Sequence, residues 1–130
     1  MIEGYSPRMA PTTTQVLTME IVPGPVPVVR AIGELDLSTA GRLCRAIHAA
    51  AGGAHRVRVM IDLTELEFCD STGLRALIGA VREVEVGGGK AALAVTPGGV
   101  LDRLLELTGL REFTRIADTP SDALRRLGAA

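Results

Sequence analysis

Aromatic residues are nearly missing from this chain of 130 residues: they make up 2%, with one tyrosine, two phenylalanines and no tryptophan. That scarcity weighs against single-stranded nucleic-acid binding, which uses aromatic side chains as stacking platforms. With 47% hydrophobic residues, the chain has a core to bury, and that core must be built from Leu, Val, Ile and Ala. Charge of one sign is lacking too. Lys+Arg number 14 and Asp+Glu 15, for a net charge of −1, and no long basic run offers a phosphate footprint or a membrane-surface patch. The balance points to a protein or small-molecule partner. The 2 cysteines, Cys44 and Cys69, are too few for a disulfide framework and lack C-x-x-C spacing. No apolar stretch approaches the ~20 residues that span a bilayer, and Met1 to Thr13 lacks a charged start followed by an apolar run. The expectation is a soluble, cytoplasmic protein with no cofactor or metal and no direct contact with nucleic acid or membrane.

Several catalytic templates are also missing. There is no G-x-x-x-x-G-K-[ST], and Gly87-Gly88-Gly89-Lys90 precedes a strand, not a helix. No G-x-S-x-G elbow occurs. His48 and His55 flank the glycine end of the first helix without metal-ligand spacing. Asp36, Asp62 and Asp70 fall near strand ends, where parallel-sheet proteins bind ligands. An acid pocket of the phosphotransfer-receiver kind needs paired acids after the first strand and a lysine after the last, and neither is present.

What is there reads as alternating strands and helices. Met1–Thr13, with two prolines and small polar residues, reads as a flexible leader, leaving 14–130 as one domain. Val16–Val22 and Pro27–Leu35 read as strands joined by Pro23-Gly24-Pro25, which turns the chain but cannot lie within a ladder. Ala40, Leu43, Cys44, Ile47, Ala50 and Ala51 mark one helical face, capped by Ser38 or Thr39 and stopped by Gly52-Gly53. Val57–Leu63 is a β-branched run suited to a buried strand. Leu74, Leu77, Ile78, Val81 and Val84 mark a second helix, closed by the triple glycine. Ala91–Val95 is a short strand, followed by a helix from Val100 that Gly109 stops. Phe113–Ile116 is the last strand, and Thr119 with Pro120 starts a final helix. The order β-β-α-β-α-β-α-β-α specifies an α/β fold: a mixed, mostly parallel sheet of about five strands with about four helices and an opening antiparallel hairpin.

The stretch F-C-D-S-T-G-L, Phe68–Leu74, is the most unusual. Asp70 or Ser71 as N-cap satisfies orphan N–H groups at a helix start, contributing about 1 kcal/mol. Three capping-competent residues in succession are more than one helix end needs. Gly73 in the first turn also costs about 1 kcal/mol relative to Ala, which makes sense if another group must come close.

In a wider frame, D-L-T-E-L-E-F-C-D-S-T-G-L, Asp62–Leu74, resembles the signature of the STAS domain in anti-sigma factor antagonists. G-E-L-D at Gly33–Asp36, G-G-G-K before a strand, and V-L-D-R-L-L-E-L-T-G-L followed by F-T-R-I agree in order and spacing. The resemblance spans roughly Val16–Leu127 and implies a single STAS domain that is a binding module, not an enzyme. It implies phosphorylation at Ser71, carried out by an anti-sigma factor that is itself a serine kinase. The unmodified antagonist would bind that kinase and release its sigma factor; modification would break the complex, and a serine phosphatase would restore it. The partner-facing residues it implies are Glu34, Asp36, Asp70, Ser71, Thr72, Gly73 and Arg75, on a monomer or weak dimer. Thr72 is the competing hydroxyl, and the chemistry of the residues does not choose between it and Ser71. A STAS adaptor in a transport or other complex, with a structural Ser71, is the alternative. An enzyme using Ser71 as nucleophile lacks a base nearby in sequence. Cys69 beside the site leaves redox sensitivity open.

Overall fold

The computed structural model describes residues 16–52 and 57–128. The Met1–Thr13 leader and His55 lie outside the described residues. Strands β1 (Leu17–Val22) and β2 (Val28–Leu35) form the antiparallel hairpin, with Pro23 and Pro25 confined to its turn. Helix α1 (Ala40–Ala51), strand β3 (Arg58–Cys69), helix α2 (Ser71–Val86), strand β4 (Lys90–Ala94), helix α3 (Val100–Thr108), strand β5 (Arg115–Ala117) and helix α4 (Pro120–Arg126) follow. The five strands lie side by side in chain order, β2 to β5 all parallel. The expected mixed, mostly parallel sheet with four helices is what the described residues build.

Strand order fixes the layers. Each parallel strand is added on the same side of its predecessor, so right-handed crossovers send α1, α2 and α3 to one face. There Leu35, Ile61, Leu63 and Leu93 from the sheet pack on Leu43, Ile47, Leu74, Leu77 and Leu105 from the helices. Residues of alternate parity, Met60, Ala92 and Ala94, point the other way and meet Ala123 and Leu127 at α4. The core is aliphatic throughout: of the two phenylalanines, Phe68 and Phe113 are both exposed.

Three sequence expectations need correction. The third strand does not stop at Leu63 but runs to Cys69. Its pairing with β2 shifts register between Arg30 and Ile32 and again between Gly33 and Glu34, each time spending an extra β3 residue. Two such bulges break the period of two, so Glu65, Leu66 and Glu67 do not read as a strand. Asp62 consequently lies inside β3, accepting from the Thr64 N–H and hydroxyl, away from the strand end where it was expected. The last strand begins later than Phe113. Gly109, at φ 72°, ends α3, and Leu110–Phe113 forms a 3-10 turn before β5 starts at Arg115.

Candidate functional site

The ends of β2 and β3 converge, with Leu35 and Cys69 as register partners. One carbonyl ties the two following loops together: Leu35 O accepts from the Asp70 N–H at 3.2 Å. The chain then turns into α2 through Asp70, in extended conformation, whose carboxylate accepts from the Gly73 N–H at 2.7 Å. Asp70 is therefore the cap, and it does this alone. Replacing it with alanine leaves that N–H without its partner, and denaturant unfolding should register a loss of about 1 kcal/mol.

Ser71 and Thr72 are both exposed, and among the described residues neither hydroxyl has a hydrogen-bond partner within the chain. The surplus of polar residues noted in the sequence is thus real: two hydroxyls stand free on the first turn of a helix capped by another group. Gly73 is different from what its place among the partner-facing residues suggested. It is buried, and a Cβ there would lie 2.6 Å from Leu35 O and 2.9 Å from the Leu35 carbonyl carbon. What comes close to Gly73 is the chain's own β2, not an incoming molecule. Arg75, one turn after Ser71, is exposed and lines a shallow groove together with it.

The loop after β2 forms the other side of the site. Asp36 is only 9% exposed. Its Oδ1 accepts from the Ser38 hydroxyl at 2.7 Å, the Ser38 N–H at 2.9 Å and the Thr39 N–H at 3.2 Å. The Ser38 hydroxyl is the chief reason its pKa lies below the ordinary carboxylate value, with the two backbone N–H groups adding to it against a desolvation cost. Asp36 is ionised and shapes the loop from inside. Thr39 precedes α1 without capping it through its side chain; its hydroxyl instead donates to Glu34 O at 2.8 Å and accepts from the Asp36 N–H at 3.0 Å. Glu34 is half-buried at the end of β2, in register with Phe68. The loop displays Leu37, 78% exposed, and Phe68 on the neighbouring strand is 44% exposed. Sequence reasoning passed over both as site residues. Apolar side chains in the open beside a free hydroxyl are a protein-contact signature, but without the fold they read as ordinary loop and strand residues.

Cys69 is buried at the site's base, and burial, with the Asp70 charge adding to it, pushes its thiol up to about 12. The thiolate that oxidation requires is disfavoured there, which weighs against the redox reading for this residue. Cys44 is partly buried between helices, its thiol donating to Ala76 O at 3.4 Å. His48 sits in the last turn of α1, where Nε2 approaches Glu83 Oε1 at 2.7 Å. Glu83 is twelve residues along α2 from Ser71, about 18 Å at the helical rise. His48 is therefore no base for Ser71. Among the described residues no group of three metal-ligating side chains assembles, and no helix is long and apolar enough to cross a membrane.

The arrangement offers a serine hydroxyl at a helix N-terminus next to Asp70, with exposed Leu37 and Phe68 on the adjoining loop and strand. A model of the STAS domain matches residues 17–123. The anti-sigma F factor antagonist of Paenibacillus polymyxa is 31% identical over 101 residues, covering 77% of this chain and 85% of that protein. An anti-sigma factor antagonist from Mycobacterium paratuberculosis has the same fold, with a TM-score of 0.74 at 28% identity over 90% of this chain and 98% of its own. The Bacillus cell fate determinant SpoIIAA in its phosphorylated form gives a TM-score of 0.55 at 26% identity, over 85% and 98% of the two chains.

Proposed function

The chain belongs to the STAS domain family, and from that premise we propose that it is an anti-sigma factor antagonist switched by phosphorylation of Ser71. Unmodified, it binds an anti-sigma factor with serine kinase activity in the cytoplasm and frees the sigma factor. The kinase then passes the γ-phosphoryl group of ATP to Ser71: the Oγ–P bond forms, the bond to ADP breaks, and the hydroxyl proton leaves to the kinase. A serine phosphatase hydrolyses the phosphoester and resets the cycle.

One observation carries the reading: Ser71 is exposed on the first turn of α2, its hydroxyl without a partner among the described residues, and the cap is supplied by Asp70. The fold does not need the Ser71 hydroxyl, so it is available for modification. A phosphate adds about −1.5 to −2 charges. The free N–H groups and dipole of the helix start accommodate it, so the domain stays folded. A partner seated against Ser71, Asp70 and the Asp36 loop meets concentrated negative charge instead.

Incubation with the cognate kinase and ATP is expected to add one phosphate, placed on Ser71 by tandem mass spectrometry. Ser71→Ala should remain unmodified and stay bound to the kinase. A phosphate found on Thr72, or none at all, would sink the assignment.

A further inference from the structure

Two glycines interrupt α2, and they differ in what a side chain would meet. Gly73 faces the Leu35 carbonyl, whereas a Cβ on Gly79 would meet nothing within 4 Å. A glycine in a helix interior is destabilising relative to alanine, and at position 79 nothing among the described residues asks for it. Gly79 lines an open groove of about 370 Å³ that begins at Ser71 and runs along α2. Leu74, Ile78 and Leu110 are its apolar lining, and Arg75 and Arg82 are its charged groups. Positions 71, 75, 78, 79 and 82 recur at three- and four-residue spacing, so they form one stripe of the helix surface. The Arg82 guanidinium lies over the Phe113 ring, 5.8 Å from its centroid. Among the described residues no carboxylate lines the groove, although the whole chain carries a net charge of −1.

We infer that this groove receives a segment of the anti-sigma factor in which an apolar side chain is flanked by carboxylates, and that Gly79 is bare so that the segment can lie against the helix backbone. The inference rests on the antagonist reading above. The partner follows from continuity, because the groove opens at the hydroxyl that the kinase must reach. Its chemistry follows from charge: an apolar trough with two arginines and no acid complements an acidic, apolar segment. Leu37 and Phe68 then contact the partner on one side of Ser71, and the groove contacts it on the other.

The test uses the full chain and purified anti-sigma factor kinases of the source organism loaded with ADP, with affinity measured by titration calorimetry. Gly79→Leu fills the groove with a better helix former. It is expected to melt no lower than wild type yet bind at least about 30-fold more weakly, the loss of one buried anchor. Gly79→Ala should melt higher than wild type with a smaller loss, so a folding defect in the larger variant cannot imitate the result. Arg75→Glu and Arg82→Glu should each weaken binding and flatten its salt dependence. If Gly79→Leu binds within about twofold of wild type while Ser71→Asp has lost affinity, the groove is unoccupied and the phosphorylation switch stands. If Gly79→Leu abolishes only self-association seen by sedimentation equilibrium, the occupant is a second copy and the inference is overturned. If unmodified wild type binds none of the kinases, the antagonist reading itself fails and the groove assignment goes with it.

Discussion

Ser71→Asp is expected to weaken binding to the anti-sigma factor by about 100-fold or more without lowering the melting temperature. The two halves of that expectation have separate causes. Stability is spared because the side chain sits on the first turn of α2 with its hydroxyl uncommitted, and a carboxylate near a helix N-terminus is favourable by a few tenths of a kcal/mol to about 1. Affinity is lost because the new charge stands next to Asp70, on the end of α2 that the partner must cover. A partner that covers this end of α2 must desolvate two adjacent carboxylates, and a few kcal/mol of such cost is a loss of two decades or more. Phosphate, with up to twice the charge, should act more strongly than aspartate. Calorimetry at two salt concentrations checks both claims: the variant should recover part of its affinity as salt rises. Equal affinity for wild type and variant would show that charge is not what releases the partner.

Gly73→Ala is expected to destabilise the domain by about 2 kcal/mol, although alanine is the better helix former. The added methyl would sit 2.6 Å from Leu35 O, a backbone atom that cannot turn aside as a flexible side chain would. Overpacking of this kind costs roughly 1–3 kcal/mol, and here it falls at the upper end because the obstacle is rigid. Helix propensity returns about 1 kcal/mol of it. The displacement also pushes the start of α2 away from β2 and strains the Asp70 N–H bond to the same carbonyl. Ser71 then no longer sits where the Asp36 loop expects it, so kinase turnover should fall along with stability. Urea unfolding measures the first effect and the initial rate of phosphorylation the second. A variant as stable as wild type would mean that β2 and α2 can separate freely.

The parts of this fold legible in the sequence were those that follow a simple period or a fixed local stop. Helix faces such as Leu43–Ile47 and Leu74–Leu77–Val81 announce themselves at 3.6 residues. Gly52, Gly109 and the Thr119-Pro120 start mark their ends by local backbone rules. The end of β3 was not legible, because bulges are set by the partner strand and not by the strand itself. The inward role of Asp36 was equally hidden: its three donors come from residues two and three positions on, in a turn whose shape only the fold fixes. Gly73 was legible as a tight place, but not as one filled by Leu35. The groove lay furthest out of reach, since Leu110 meets the α2 stripe only after β4 and α3 have returned the chain to that side.

The strand order has a consequence for how the chain assembles. Because the five strands lie in the order in which they are synthesised, no later strand has to wedge between two earlier ones. Each new strand docks on the edge left open by the last, so the sheet grows by accretion as the chain emerges, in keeping with folding that proceeds from the N-terminal side during synthesis. The hairpin, α1, β3 and α2 already contain the Leu35 carbonyl, the Asp36 loop and Ser71. Ser71 is therefore framed before β5 and α4 have left the ribosome, and the later elements close the groove beside it.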